Sequence, residues 1–392
     1  MEYPSELESP ASGLVRIVQW LVSNIGRLLI AVLIPALTFI VLWQGFLFLR
    51  DSEASAVVTA IVAIIWGVGG VAALYLVFNW IVEQFPDLWR ARLQPFVFVG
   101  PAIAILFWYL AFPTIRTFHI SLYDRDGPPM DLLKVFSEPG KFFSSFGDGF
   151  VGLQNYGAVL TERYMLESFR NNLLWIVFGA SLAVILGLLI AVLADRSKYE
   201  SFAKSFIFMP MAISMVGAGV IWNLIYEVDP NVGLLNAVWA GVLGGEPQAW
   251  TAQLQPWNNL FLIMIVIWLQ TGYGMVLFSA AIKGIPGELL EAARVDGATE
   301  VQVFFRIMIP YIMGTIITVS TTIIIFTLKI FDVVIVMTGG QFGTEVIATQ
   351  FYRQYFSNRN FGFGSAIAIV LLIAVIPVMV YNLRQFAEQE AF

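Results

Sequence analysis

The sequence of 392 residues contains no cysteine and a single histidine, His119, and only 12% of it is charged. Without cysteine there can be no disulfide, no thiolate metal site and no cysteine nucleophile. One imidazole is too few for a histidine metal site or a proton relay, and His119 is expected to be a loop residue without a chemical role. Basic residues are missing from the first stretch, MEYPSELESP, which carries Glu2, Glu6 and Glu8. That is the wrong charge for the n-region of a signal peptide, so no cleavage is expected. A phosphate-gripping loop is also missing. The only Gly-Lys pair, Gly140-Lys141, is followed by Phe142 and lacks the upstream glycine of a P-loop. The chain is therefore expected not to hydrolyse ATP, and no basic patch points to nucleic acid.

What is present is apolar surface. The chain is 59% hydrophobic, with a mean hydropathy of +0.80. A soluble core could not hide so much of it, so the class is a polytopic membrane protein. The net charge of −6 says little about partners, because most charges fall between the apolar runs. Eight stretches are long enough to cross a hydrocarbon core of about 30 Å: 28–49, 56–82, 96–118, 171–194, 205–226, 259–282, 311–337 and 361–383. Pro35, Pro101, Pro113 and Pro377 are tolerable inside such spans where neighbouring helices satisfy the freed carbonyls. Gly13 to Arg27 mixes apolar residues with Arg16, Gln19 and Asn24, which suits a helix lying in the membrane interface.

Basic residues orient the bundle. With the N-terminus inside, the inner segments hold Arg16, Arg27, Arg90, Arg92, Arg196, Lys198, Lys204, Lys283, Arg294, Arg306 and Arg384. The short outer loops hold Arg50, Arg353 and Arg359, and 227–258 has no Lys or Arg. Both termini are thus expected in the cytoplasm.

Charge, glycine and proline crowd together in one place, KGIPGELLEAARVDGATEVQVFFRIMIP at 283–310, on the cytoplasmic side. Pro286 suits a first helical turn, and Glu288, Glu291 and Arg294 follow at spacings of three. Gly297 breaks that helix, and Thr299 with Gln302 forms a capping box for a second one. Pro310 marks where the chain bends back into the bilayer. Taken alone, this pattern is also that of an ordinary loop with two amphipathic helices.

The full spacing goes further. Glu291-Ala292-Ala293, then Gly297, then Ile307-Met308-Ile309-Pro310 resembles the EAA loop of ATP-binding-cassette (ABC) importer permeases, with Ile309 where that pattern has leucine. FVGLQNYGAVL at 150–160, by itself a short amphipathic helix across the mouth of the bundle, resembles the F-x-G-L-x-N-Y element of sugar-importer permeases of the maltose-transporter type. FDVVIVMTGGQFGTE at 331–345 resembles the stretch after the seventh span of that group. The matched elements cover roughly 96–385. Residues 1–95 then form an interfacial helix and two extra spans, and 96–392 a permease core of six. Two extra spans are what the larger permease of a maltose-type pair has. The extra spans also look closest to permeases for α-glucosides and related compounds such as glucosylglycerol or trehalose.

The resemblance implies that Glu288, Glu291, Ala292, Ala293, Asp296 and Gly297 dock into and couple to a cytoplasmic ATPase subunit. Glu291 and Asp296 would pair with a basic group there or cap local backbone. A transport path needs polar groups inside spans. The sixth span offers Trp268, Gln270, Thr271 and Tyr273. The seventh offers Ser320, Thr321, Thr322, Thr327, Lys329 and Asp332, and the fifth Asn223. Alternatives stand beside each. Span hydroxyls commonly bond back to their own helix, and Trp268 suits packing. Lys329, as a buried ammonium, needs a partner, and Asp332 sits one helical turn away. That pair either fixes the span or reaches the solute. By the resemblance, Leu269, Gln270, Tyr273, Ile323, Phe326, Thr327 and Ile330 line the substrate cavity, and Lys329, from its own polarity, joins them as an expected substrate-binding residue. Thr327, Lys329 and Ile330 replace the amides of the maltose protein, which leaves maltose itself in doubt.

The expected protein is an all-α, polytopic transmembrane bundle of about eight spans with the type I ABC importer permease fold, in the bacterial inner membrane. Its expected partners are a second, homologous permease in a heterodimer, two copies of an ATPase that bind ATP and Mg, an external solute-binding protein, membrane lipid and a carbohydrate. No cofactor or metal is expected in this chain. The rival reading is an ion-coupled secondary transporter of a small polar solute, with Lys329 and Asp332 as its coupling pair. A membrane enzyme acting on lipid-linked sugar would need paired acids or a metal site, and no convincing cluster supplies them.

Overall fold

The computed structural model describes residues 25–51, 55–85 and 87–390, and among them every named element is helical. The interfacial helix expected over 13–27 lies, up to Asn24, outside the described residues. The chain divides into two compact units between Pro113 and Thr114; the sequence division sits earlier, between 95 and 96.

The first unit holds α1 (Ile25–Asp51), α2 (Ala56–Glu83) and α3 (Asp87–Leu106), the last followed by a π turn at Phe107–Ala111. Apolar residues of α2 are exposed all round, among them Ile61, Ile64, Ile65 and Val68. A helix that is hydrophobic on every side belongs in lipid rather than on a soluble core. The indole N–H of Trp66 donates to the Leu42 carbonyl at 3.2 Å, tying α2 to α1. Tyr75 and Phe98 meet edge to face at 5.2 Å and seat α3 on α2.

Phe112–Ser121 (α4) leads into the second unit. There follow α5 (Gln154–Thr161), α6 (Arg163–Leu174), α7 (Ser181–Asp195), α8 (Glu200–Phe208), α9 (Met215–Ile225) and α10 (Trp257–Lys283). The order continues with α11 (Gly287–Val295), α12 (Glu300–Val303), α13 (Met313–Leu328), α14 (Asp332–Thr338), α15 (Ile347–Tyr352) and α16 (Phe361–Glu390). The axis of the unit is α10, the most enclosed of the long apolar helices, with 56% of its span buried. Gly187 lets α7 lie directly on it: a Cβ there would sit 3.0 Å from the Met275 nitrogen. Small residues are what allow such close approach where lipid removes the hydrophobic drive between helices. One core cluster surrounds Leu262, Val266 and Leu269 on α10, and a second surrounds Met275 and Phe278. A third joins α5, α6 and α16 through Val159, Met165 and Ile367.

Among the described residues, five helices are long and apolar enough to cross a membrane: Ala56–Glu83, Arg90–Ser121, Arg163–Asp195, Trp257–Lys283 and Phe361–Arg384. Counting each of two bent pairs as one span makes seven, and α1 contains the first expected stretch, 28–49. The fifth and seventh expected spans are not straight. Glu200–Ala212 and Met215–Ile225 meet at 103°, where the 3-10 turn holding Pro210 ends and Ser214 caps α9 by accepting from the Gly217 N–H at 3.0 Å. Glu300–Tyr311 and Met313–Leu328 meet at 72°. The break is at Ile312, two residues beyond Pro310, and α13 ends at Leu328 well short of 337.

The 119–170 segment is a small folded layer, as its length requires. Asn155 donates to the carbonyls of Ser121 at 2.9 Å and Tyr123 at 2.7 Å, and the Tyr156 and Ser121 hydroxyls share a bond of 2.6 Å. This is the physical content of the Gln-Asn-Tyr run: it sews α5 to the end of α4. His119 is not a loop residue. It is buried in the last turn of α4, against Tyr123, Phe142 and Phe146.

Candidate functional site

The 283–310 segment is built by local rules. Pro286 is the N-cap of α11 rather than a residue of its first turn. At the other end Gly297 takes φ of +84°. Its N–H donates to the Arg294 carbonyl at 3.1 Å, and the Ala298 N–H donates to the Ala293 carbonyl at 3.0 Å. These are the two bonds of a Schellman closure. The Thr299–Gln302 capping box forms as expected, with bonds of 2.8 and 3.3 Å. Arg294 Nε then donates to Glu300 Oε1 at 2.8 Å across the turn. That carboxylate raises the Arg294 guanidinium above its already high ordinary value, so the pair stays charged.

This closure gives α11 two faces. Leu290, Ala293 and Ala298 pack inward against the cluster that contains Ala191, Met275 and Phe278. Glu288, Glu291, Ala292 and Asp296 face outward, together with Leu289 and Val295, the latter 87% exposed. Leu289, Ala292 and Val295 recur every three residues, making an apolar strip bordered by carboxylates. The strip lies outside the long apolar helices and is exposed within this chain. Glu291 and Asp296 accept no hydrogen bond among the described residues, so neither caps local backbone.

The eight expected substrate residues separate into two groups. Leu269, Ile323, Thr327 and Ile330 are buried inside this chain; Leu269 and Ile330 belong to the first core cluster and Ile323 to the second. The Thr327 hydroxyl is committed to the Ile323 carbonyl at 2.7 Å. Thr321 and Thr322 likewise bond back to Ile317 and Thr318. Gln270, Tyr273 and Phe326 remain partly open, and Lys329 is exposed. The expectation of a buried Lys329–Asp332 pair fails. Lys329 follows the last residue of α13, Ile330 and Phe331 are not helical, and Asp332 opens α14. The helix break removes the one-turn spacing, both residues are exposed, and no ion pair joins them among the described residues.

Trp268 packs against the first core cluster and meets Trp222 edge to face at 5.8 Å, a packing role. Asn223 donates to the Val336 carbonyl at 3.3 Å and holds α9 on α14. Two cavities flank α13, of about 260 and 410 Å³. Both are mainly apolar, and neither includes any of the eight expected residues.

Sequence reasoning missed the amides that hold the loop after α14. Asn171 donates to the carbonyls of Gly343 and Glu345, both at 2.7 Å. Asn258 donates to the Phe342 carbonyl at 2.7 Å. Asn172 accepts from the Ile347 N–H at 2.8 Å and donates to the Leu328 carbonyl at 3.2 Å. The loop needs such support because Gly339, Gly340, Phe342 and Gly343 all take positive φ. Adjacent asparagines at the edges of apolar runs, Asn171-Asn172 and Asn258-Asn259, were the available signal.

Comparison with known proteins adds a relationship to this geometry. Residues 183–389 match the family described as binding-protein-dependent transport system inner membrane component. The chain is 47% identical over 298 residues to the osmoprotective compounds uptake permease protein GgtC of Synechocystis sp., covering 75% of this chain and 99% of that one. It is 43% identical to the alpha-glucoside transport system permease protein AglF of Rhizobium meliloti, covering 74% of this chain and 82% of that one. Its fold resembles a crystal structure of a bacterial ABC transporter involved in the import of alginate, with a TM-score of 0.59 and 19% identity over 76% of this chain and 99% of the other.

Proposed function

This chain belongs to the binding-protein-dependent transport system inner membrane components, and from that membership we propose that the solute it passes is an α-glucoside or a glucoside-like osmoprotectant. It is a multi-pass permease subunit of an ABC importer in the inner membrane, not an enzyme. The observation that carries the substrate class is the near-full-length match to GgtC, seconded by AglF.

In this reading both termini and 283–310 lie in the cytoplasm. Two copies of an ATPase subunit bind ATP and Mg, and a second, homologous permease completes a heterodimer. The solute-binding protein delivers sugar at the opposite face. The outward strip of α11, with Glu288, Glu291, Ala292 and Asp296 around it, fits a cleft on one ATPase copy, and the Gly297 closure keeps the helix rigid. ATPase closure then swings the spans from inward-facing to outward-facing. Sugars are held by hydrogen bonds to hydroxyls and by aromatic faces against C–H surface. Gln270, Tyr273, Phe326 and Lys329 are of the right types and retain open surface. Leu269, Ile323, Thr327 and Ile330 serve as the layer that positions them. The helices Ile25–Asp51 and Ala56–Glu83 act as two spans added to the 96–392 core.

The rival ion-coupled reading loses its coupling pair with the break between Lys329 and Asp332. The test is a pull-down of the chain from its native membrane followed by mass spectrometry. Recovery of a Walker-type ATPase and a second permease with its own EAA loop is expected, and the sugar carried by the co-encoded binding protein identifies the solute. Recovery of the chain alone, active in uptake under an ion gradient, would overturn the proposal.

A further inference from the structure

Both ends of the 283–300 segment are ion-paired to one short stretch of chain, 195–204, which connects α7 to α8. At the near end, Lys283 pairs with the Glu200 carboxylate. At the far end, the Arg196 guanidinium donates to Glu300 Oε2 at 2.7 Å, while Arg294 holds the other oxygen of the same carboxylate. The stretch is itself anchored to the bundle. Lys204 Nζ lies 2.5 Å from both Asp195 Oδ1 and Glu200 Oε1, and it also contacts the Ser279 hydroxyl of α10. Ser279 donates to Asp195 Oδ1 at 2.7 Å.

Stability alone does not account for this arrangement. Asp195 places a carboxylate at the C-terminus of α7, the end where the helix dipole disfavours negative charge. Its side chain is 12% exposed and that of Lys204 18%, so both ions have lost most of their water. The second Asp195 oxygen is buried and has no hydrogen-bond partner among the described residues. The Arg196–Glu300–Arg294 bridge is largely exposed, and such bridges add little to folding free energy. What the set does supply is geometry. It clasps the segment to the end of α7 and, through Ser279, to α10.

We propose that Arg196 and Glu300, backed by Asp195, Lys204 and Ser279, are positioning residues of the transport cycle that make α11–α12 and the end of α7 move as one body. The apolar contacts of Leu290 and Ala293 can slide, whereas a bridged carboxylate fixes register. Displacement of α11 then reaches α7 directly as well as α10. The inference rests on the reading of 283–310 as the coupling segment.

The absence of cysteine makes the test direct. Spin labels at Leu193→Cys, at the end of α7, and Val301→Cys, on α12, are both at exposed positions outside the clasp. Their separation is measured by pulsed electron resonance in the purified full transporter, nucleotide-free and trapped with ATP and vanadate. With the clasp intact, the same distance is expected in both states. Arg196→Ala or Glu300→Gln should let trapping shift and broaden it. The double variant should shift it no further, and Arg196→Lys should restore the single distance. A purely structural role would change stability without making the distance depend on nucleotide. The proposal is overturned if the distance shifts on trapping with the clasp intact, or stays fixed in the single variants. If the unaltered chain purifies without an ATPase subunit, the coupling reading itself fails and takes this proposal with it.

Discussion

If 283–310 is the coupling segment proposed above, replacing Gly297 separates two explanations for the glycine at its turn. In this chain a Cβ at that position would meet nothing within 4 Å, while φ is +84°. The constraint within the chain is therefore backbone conformation and not space. An L-residue with a Cβ held in the left-handed region costs about 1–2 kcal/mol, and asparagine tolerates that region better than alanine. A change of that size alters the ratio of closed to opened loop by a factor of roughly 5–30. The opened loop loses the Arg294 and Ala293 carbonyl bonds and with them the fixed direction of α11. Uptake should fall in the order Gly, Asn, Ala, Val, with the protein still present in the membrane. Cells carrying each variant would be assayed for uptake of a radiolabelled α-glucoside, with membrane content read by immunoblot. If instead the glycine is required because an ATPase surface presses against it, size decides, and alanine will outperform asparagine. That reversed order, or wild-type uptake by the valine variant, would refute the backbone argument.

Three further outcomes are expected. Thr327→Val keeps the shape of a buried side chain whose hydroxyl serves only the Ile323 carbonyl; it should cost no more than about 1 kcal/mol and leave uptake intact, whereas Gln270→Ala with Tyr273→Ala should weaken substrate-stimulated uptake without loss of assembly. Abolished uptake in a well-assembled Thr327→Val permease would return that residue to the substrate site. Asn171→Ala should strand the buried Glu345 carbonyl, whereas the Gly343 carbonyl keeps the Gln255 amide as a donor; the loss of stability should be about 1–3 kcal/mol, the cost of one buried unsatisfied acceptor. Thermal unfolding in detergent reads this loss, and Asn171→Asp should not restore it, because an ionised carboxylate cannot donate.

The parts legible in the sequence are those whose partners lie within a few residues of each other. Thr299 and Gln302 can be paired on paper because a capping box spans one helical turn. Gly297 declares a helix end because only glycine takes that backbone conformation cheaply. The apolar runs declare spans because a bilayer demands length and little else. The same indifference hides the bends at Ser214 and Ile312. A stretch of apolar residues is equally compatible with one straight helix or with two that meet at an angle, and the prolines nearby mark the break only approximately. Lys329 and Asp332 show the cost of assuming continuity: their spacing implied a pair, and the end of α13 at Leu328 removed it.

Sequence by itself determined the membrane class, the helical architecture, the helix end at Gly297 with the Thr299–Gln302 cap, and the family, since each rests on composition or on a local pattern. Only the tertiary structure decided which of the expected substrate residues keep open surface, that Asn171 serves a loop 172 residues away, and that 195–204 is ion-paired to both ends of 283–300. Those facts depend on which helix lies beside which. In a bilayer that choice is made by close packing at residues such as Gly187 and by a few polar contacts, which a sequence lists without saying whom they meet.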